Sequence, residues 1–415
     1  LAHDEFDIVV VGAGAAGLAA AQLLGASGLS HLVLEARDRP GGRAWTVRLA
    51  NGETADLGCG WLHSAETNPL AGVAERQGLT LDKSPAPWGR SSAQVGPNRA
   101  QAGAFIAALG RFRERVESRP ADAADVACSA LLEPGEPLNP LIDAVSTYYS
   151  GAELEKVSAA DLQAYEDSGV NWRVREGLGA VVAGLAKGAP VRYSCPVRVL
   201  DRRGTRLCIE TDLGTLSARA AIVTLPSNVI AASPDLFRPA LPGKSEAASR
   251  LPLGLANKLY MELLAPGDFP SDSRAFGDMG RRATGGYQFR PLGRPLVEGY
   301  FGGDLAESLE RDGLAGAFDF ALGELVGLFG ADFRRAVRPL AFHGWRSDPF
   351  AMGAYSYARP GGAGSRRTLA AAVDSRLFFA GEACSPDSYS TAHGAYLTGR
   401  AAAEAAMRAL GENVG

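Results

Sequence analysis

Residues 6–43 constrain the fold more than any other stretch of the chain. Phe6 to Val11 is a short apolar run rich in β-branched residues, so it reads as a buried parallel strand. Gly12, Gly14 and Gly17 follow at the G-x-G-x-x-G spacing. The first glycine permits a tight turn, the second lets backbone approach a pyrophosphate, and the third lets a helix pack close to the strand. Leu18 to Leu24 continues as that helix, whose N-terminus favours phosphate through free N–H groups and the dipole. His31 to Glu35 reads as a second strand ending in an acid that can accept hydrogen bonds from both ribose hydroxyls. Strand, helix, strand and acid at these separations predict a dinucleotide site. Residues 8–29 are apolar and long enough to cross a bilayer, but three glycines at nucleotide spacing argue for βαβ instead.

A chain of 415 residues can bury a large core and predicts two domains. Its 46% hydrophobic and 21% charged residues are those of a globular protein. The net charge of −4 supplies no general electrostatic reason to bind nucleic acid or an anionic membrane, and neither partner is expected. Cys59, Cys128, Cys195, Cys208 and Cys384 are odd in number and widely spaced, without a C-x-x-C pair. They read as free thiols in a reducing cytoplasm rather than as a disulfide framework, and no metal site is expected. No basic segment followed by an apolar core opens the sequence; it begins with Leu1, which leaves a processed start open. Residues 400–410 alternate charged and apolar positions and read as an amphipathic helix.

Taken in order, Val47 to Leu57 predicts a hairpin turning at Asn51-Gly52. Closely spaced glycines in Asp56-Leu57-Gly58-Cys59-Gly60-Trp61-Leu62-His63 let backbone pass against a flat ring, with Trp61 placed to cover it. Residues 84–100, rich in Pro, Ser and Gly, read as a domain crossing. Phe105, Leu109, Phe112 and Val116 recur at helical spacing, and further helices are expected over 121–132, 138–150 and 152–166. Tyr148 and Tyr149 read as core and rim. Strands are expected over 190–200, 206–211, 221–225, 257–262, within 284–301, and at 377–382. Residues 304–329 predict two helical stretches split near Gly313.

Beyond Glu35 come Arg37, then Gly41, Gly42 and Arg43. This stretch resembles the FAD-binding segment of the flavin amine oxidase family, with its terminal G-G-R. The segment around Gly60-Trp61-Leu62-His63 and Asn68-Pro69-Leu70 is similar to the polyamine oxidase branch in particular. The resemblance continues in Trp345…Asp348-Pro349…Gly353-Ala354-Tyr355, in Phe379-Ala380-Gly381-Glu382, and in Thr391-Ala392-His393-Gly394. It implies an α/β fold: a Rossmann-like FAD-binding domain of the GR2 type, with an interleaved α+β substrate domain. The expected segments are 1–85, 165–235 and 370–415 for the first, 86–164 and 236–369 for the second. The cofactor contacts it implies are Gly12, Gly14, Ala16, Gly17, Glu35, Arg37, Gly42, Arg43, Gly60, Trp61, Val197, Trp345, Gly381, Glu382 and Ala392. Lys258 matches the lysine that holds a water close to flavin N5. Tyr355 and Thr391 match the two walls of the amine cage, and His63 faces the substrate side. His393 reads as a structural hydrogen-bonder. Ala354 stands where monoamine oxidases carry a cysteine bonded to the flavin, so non-covalent FAD is expected.

The chemistry implied is hydride transfer from the carbon next to a neutral amine to flavin N5. The imine is hydrolysed to aldehyde and dioxygen is reduced to hydrogen peroxide. The expected partners are therefore a small amine and dioxygen, with a polyamine-type substrate favoured and Glu66, Glu166 and Asp167 as candidate acids. Two other readings remain. One is an L-amino-acid oxidase or another oxidase or desaturase on the same scaffold; an amino-acid oxidase requires an arginine facing the carboxylate, and no motif marks one. The other is a flavoprotein with little turnover, which does not need Trp61, Lys258, Trp345 and Tyr355 together.

Overall fold

The computed structural model describes residues 4–412. The apolar run forms the strand Asp4–Val11, and Ile8, Val9 and Val10 are fully buried, as a parallel strand covered on both faces requires. It is flanked in parallel by Gly214–Val223 on one side and His31–Leu34 on the other, with Val191–Arg192 beyond. The long strand Gly214–Val223 serves two partners along its other edge. Its first half pairs antiparallel with Leu207–Thr211, and its last residues pair parallel with Leu377–Phe379. Val197–Asp201 and Phe237–Arg238 complete this sheet. It is therefore stitched from three regions of the sequence.

The helices Ala15–Gly25 and Ala392–Ala409 cross on one face of that sheet. Their approach is limited by glycine. A Cβ on Gly399 would lie 2.0 Å from the Ala16 carbonyl oxygen, and one on Gly17 would lie 1.8 Å from that of Gly12. The third glycine of the fingerprint thus closes the turn sterically.

A second sheet is antiparallel throughout, in the order Ser273–Phe276, Gly286–Phe289, Leu296–Gly302, Ala256–Leu263, Val337–Phe342. Alternation divides its faces. Leu259, Met261, Val297, Phe289 and Phe301 pack into a core with the helix Gly303–Phe329. Lys258, Glu298, Tyr300, Arg274 and Phe276 line a cavity on the opposite side. Gly313, at φ +66°, breaks that long helix at the expected point.

The helical region departs from expectation. Ala102–Glu117 and Asn139–Ser150 are helices, but 121–132 contains only the single turn Cys128–Leu131, and 152–166 only Ala159–Gln163. Side-chain bonds hold this segment in place of helical ones. Asp125 accepts from Ser158 Oγ at 2.8 Å and from the Ala160 and Gly361 amides. Asp161 accepts two bonds of 2.7 Å from Arg366, a pair closed off from solvent. No helix among the described residues is long and apolar enough to cross a membrane.

Breaking the buried pair from one side strands a guanidinium in a low-dielectric interior. Asp161→Asn is expected to cost about 3–5 kcal/mol in urea unfolding. An Asp161→Leu/Arg366→Met double variant, which removes both charges, should recover much of that loss.

Candidate active site

A single cavity of about 1280 Å³ runs from Glu35 at one end to Tyr355, Tyr300 and Phe276 at the other. At the first end, the turn between the first strand and its helix is shaped by exclusion. A Cβ on Gly12, at φ +106°, would lie 2.6 Å from Thr224 Oγ1, whereas one on Gly14 would meet nothing within 4 Å. The open space at Gly14 is what close approach of a phosphate needs, and the helix it caps has no side-chain cap and no acid in its first turn. Glu35 is buried; its carboxylate accepts from Ala13 N–H at 2.7 Å and from Arg37 N–H at 2.8 Å. Arg37 donates to Asp348 at 2.6 Å and lies over the Phe350 ring. Burial opposes ionisation of Asp348, but the His343 ring 3.6 Å away and the bond from Arg37 outweigh it and hold the carboxyl well below its ordinary range.

Midway, Arg43 donates to Glu382 at 2.9 Å and to the Ala354 carbonyl at 2.7 Å. Glu382 also accepts from Ser356 Oγ at 2.6 Å and from Ser390 N–H at 3.0 Å. Burial raises the Glu382 pKa, yet Arg43, Ser356 and Arg366 together keep it below the usual carboxylate value. Gly58 passes between two walls: a Cβ there would lie 1.7 Å from the Arg43 carbonyl oxygen and 3.2 Å from Trp345 Cζ2. Trp345 is fixed by its indole N–H, which donates to the Leu57 carbonyl at 3.1 Å.

At the far end, Lys258 Nζ lies 3.4 Å from Glu298, and a Cβ on Gly60 would lie 3.1 Å from that nitrogen. Burial disfavours the ammonium, but Glu298, Tyr260, Tyr300 and Asp56 outweigh it, so the Lys258 pKa is raised and the group stays charged at neutral pH. The Tyr355 hydroxyl donates to the Tyr148 carbonyl and lies 3.2 Å from that of Tyr300. The Tyr300 ring meets Tyr148 edge-on at 5.6 Å.

All the residues expected to contact cofactor line this cavity except Gly17, whose part is packing. Lys258, Tyr355, Trp345, Thr391 and His63 line it as well. Two of them are refined by their bonds. Thr391 is the N-cap of Ala392–Ala409; its hydroxyl donates to the Ser388 carbonyl at 2.6 Å and accepts from Gly394 N–H at 2.9 Å, which leaves its methyl group as wall. His63 Nδ1 lies 2.6 Å from Asn171 Oδ1, and burial lowers its pKa, so it stands neutral and fixed. His393 is buried and pushed down to about 4, first by burial and then by His63. Of the candidate acids, Asp167 lines the cavity and Glu66 and Glu166 do not.

Sequence reasoning misses Tyr300, Trp88 and Arg274 as cavity residues and takes Tyr148 for core or rim, whereas all four line the cavity. Tyr300 and Tyr148 are the rings around Tyr355; no ring contact joins Tyr355 to Trp345 among the described residues. Trp88 meets Trp61 edge-on at 4.4 Å, from the stretch read as a plain crossing. Its signal was a lone aromatic in Pro87-Trp88-Gly89.

A glycine turn, helix N-terminus and acid at one end of a cavity, with a buried ammonium and aromatic walls at the other, define a dinucleotide-cofactor oxidoreductase site. The family model described as flavin containing amine oxidoreductase matches residues 15–145 and 133–407, and the chain belongs to that family. It is 30% identical over 438 residues to polyamine oxidase 2 of Arabidopsis thaliana, covering 96% of this chain and 87% of that protein. It is 29% identical over 431 residues to lysine-specific histone demethylase 1 homolog 2 of the same plant, covering 95% of this chain. That alignment takes in 57% of the relative, so the chain spans about half the length of several curated relatives it matches. A solved putrescine oxidase redesigned in its cofactor binding superposes with a TM-score of 0.78, covering 98% of this chain and 99% of that one. At 19% identity this likeness establishes the fold.

Gly58→Ala should push the Arg43 carbonyl out of place and weaken flavin retention about tenfold or more. The ratio of visible to protein absorbance after gel filtration measures it, with circular dichroism expected to remain unchanged.

Proposed function

We propose that the chain is an FAD-dependent amine oxidase that releases hydrogen peroxide. One observation carries this reading: a charged, buried Lys258 and the hydroxyl pair of Tyr355 and Tyr300 share one cavity with the Gly12–Glu35 cradle. The overall balance is amine, dioxygen and water giving aldehyde, ammonia and hydrogen peroxide. FAD, when bound, supplies the two-electron capacity between amine and dioxygen. Glu35 holds the ribose, the Gly14 turn and the helix N-terminus the diphosphate, and Val197 the adenine through its backbone. Gly42, Arg43, Gly60, Trp61, Trp345, Gly381, Glu382 and Ala392 hold the flavin half. Segments 1–85, 165–235 and 370–415 are assigned to this cofactor domain, and 86–164 and 236–369 to the substrate domain.

The protein's own contributions follow from its bonds. Tyr355 and Tyr300 exclude water around the amine, and desolvation favours its neutral, reactive form. The Ala392–Ala409 N-terminus, with no acid in its first turn, stabilises negative charge placed against it. Lys258 keeps a proton at Nζ on the side where dioxygen is reduced. Ala354 supplies only its carbonyl to Arg43, and its side chain has no atom to bond a flavin, so FAD is held non-covalently.

Mixing the holoenzyme anaerobically with monoamines, diamines, polyamines and amino acids should bleach the flavin with at least one amine. Bleaching by none would overturn the reading. Lys258→Met is expected to slow reoxidation by dioxygen at least about tenfold while leaving the bleaching step within a few-fold. Acid precipitation should leave yellow FAD in the supernatant rather than in the pellet.

A further inference from the structure

One guanidinium lining the cavity, that of Arg274, has neither an ion pair nor a hydrogen bond among the described residues. Arg274 lies on Ser273–Phe276 and lines the cavity. Its guanidinium sits over the Phe276 ring at 4.5 Å, and among the described residues its side chain makes no ion pair and no hydrogen bond. Arg37, Arg43, Arg173 and Arg366 are also buried or partly so, and each faces a carboxylate within 3.0 Å. Burial pulls the Arg274 pKa down, and only Tyr149 and Tyr148 oppose it. A desolvated cation without a counter-ion is costly, and a ring face compensates only in part. Guanidinium is also the side chain whose fork matches a carboxylate in two parallel hydrogen bonds.

Position along the sheet sets where such an anion would lie. Arg274 is in register with Gln288, Gln288 with Glu298, and Glu298 with Tyr260, two residues from Lys258. Three inter-strand steps place its backbone roughly 14 Å from the strand carrying Lys258. The Tyr148 ring is a neighbour of both Arg274 and Tyr300. An α-amino acid, with amine and carboxylate on one carbon, would require side chains on strands that far apart to converge on one point. A diamine would bring a second ammonium towards an uncompensated guanidinium. From this arrangement, and resting on the amine-oxidase reading above, we propose that the substrate is an amine with a carboxylate at the far end of its chain, held by Arg274.

The test compares three compounds with the same pentamethylene chain: ω-aminohexanoate, cadaverine and pentylamine. Each is mixed anaerobically with the FAD-loaded enzyme, and flavin bleaching is followed against concentration. The acid is expected to half-saturate at about 10- to 100-fold lower concentration than cadaverine. Arg274→Met should erase that advantage, change the limiting bleaching rate by no more than about twofold and leave pentylamine unaffected. Arg274→Lys should restore part of the advantage, and Arg274→Glu should turn preference to cadaverine. Equal or tighter use of cadaverine by the unmodified enzyme, or an unchanged acid response in Arg274→Met, overturns the proposal. If none of the three bleaches the flavin, the wider amine series above decides the amine-oxidase reading separately. Titration calorimetry with hexanoate then decides on the anion site alone: binding that Arg274→Met abolishes supports it, and absent or unaltered binding overturns it.

Discussion

Arg43, Glu382, Ser356, Arg366 and Asp161 form one largely buried run of charge-assisted hydrogen bonds, and the middle of the cavity depends on it. Glu382 receives Arg43 on one oxygen and Ser356 on the other; Arg366 donates to Ser356 at 2.9 Å and closes on Asp161. Each charge is tolerated only because its neighbour is present, so none of these segments can move alone. Three consequences follow at once. The Ala354 carbonyl is tied to Arg43, which sets Tyr355 beside Tyr300 and Tyr148. The Ser390 amide is tied to Glu382, which aims the N-terminus of Ala392–Ala409 at the cavity. Asp161 is tied to the Ala358 amide, which anchors the irregular helical region to the same run.

The cradle at the other end rests on exclusion rather than charge. Gly12 and Gly17 are glycines because a methyl group would strike Thr224 or the Gly12 carbonyl, whereas Gly14 is a glycine because the space beside it is left free. The same logic recurs at Gly58, between Arg43 and Trp345, and at Gly60, next to Lys258. Small residues thus mark where backbone meets either protein or ligand, and only the structure separates the two cases.

This explains which features were legible in the sequence. The strand, helix and second strand of residues 6–34 are legible because each obeys local rules of periodicity and turn chemistry. Lys258 stands out in the sequence only through the family resemblance, whereas Gly313 is legible as a break in a long helix. The helices expected over 121–132 and 152–166 are cut to the short turns Cys128–Leu131 and Ala159–Gln163 because Asp125 and Asp161 bond to residues far along the chain, which no window of periodicity reveals. Trp88 and Tyr148 were read as crossing and core because their roles come from partners at Trp61 and Tyr300. Arg274 was hardest to see. What distinguishes it is a place in the cavity with neither ion pair nor hydrogen bond among the described residues, and that is a property of three dimensions.

Charge placement in the chamber bears on how an amine is made reactive. Lys258 remains an ammonium because Glu298 lies 3.4 Å away. A second ammonium bound within about 5 Å of it would be disfavoured by roughly 3 kcal/mol at an effective dielectric of about 20, before Glu298 offsets part of that. That is enough to lower a bound amine's pKa by about two units, in the same direction as desolvation by the tyrosines. On the proposed reading, with Glu298 pairing Lys258, desolvation by the tyrosines supplies the larger part of the bias towards a neutral amine at this end. Arg274, on the edge strand of the same sheet face, also disfavours a cation, with no ion pair to an acid among the described residues. A molecule that enters charged and is to lose that charge at one end is best held by an anion at the other, which leaves the complex close to neutral when the amine is deprotonated.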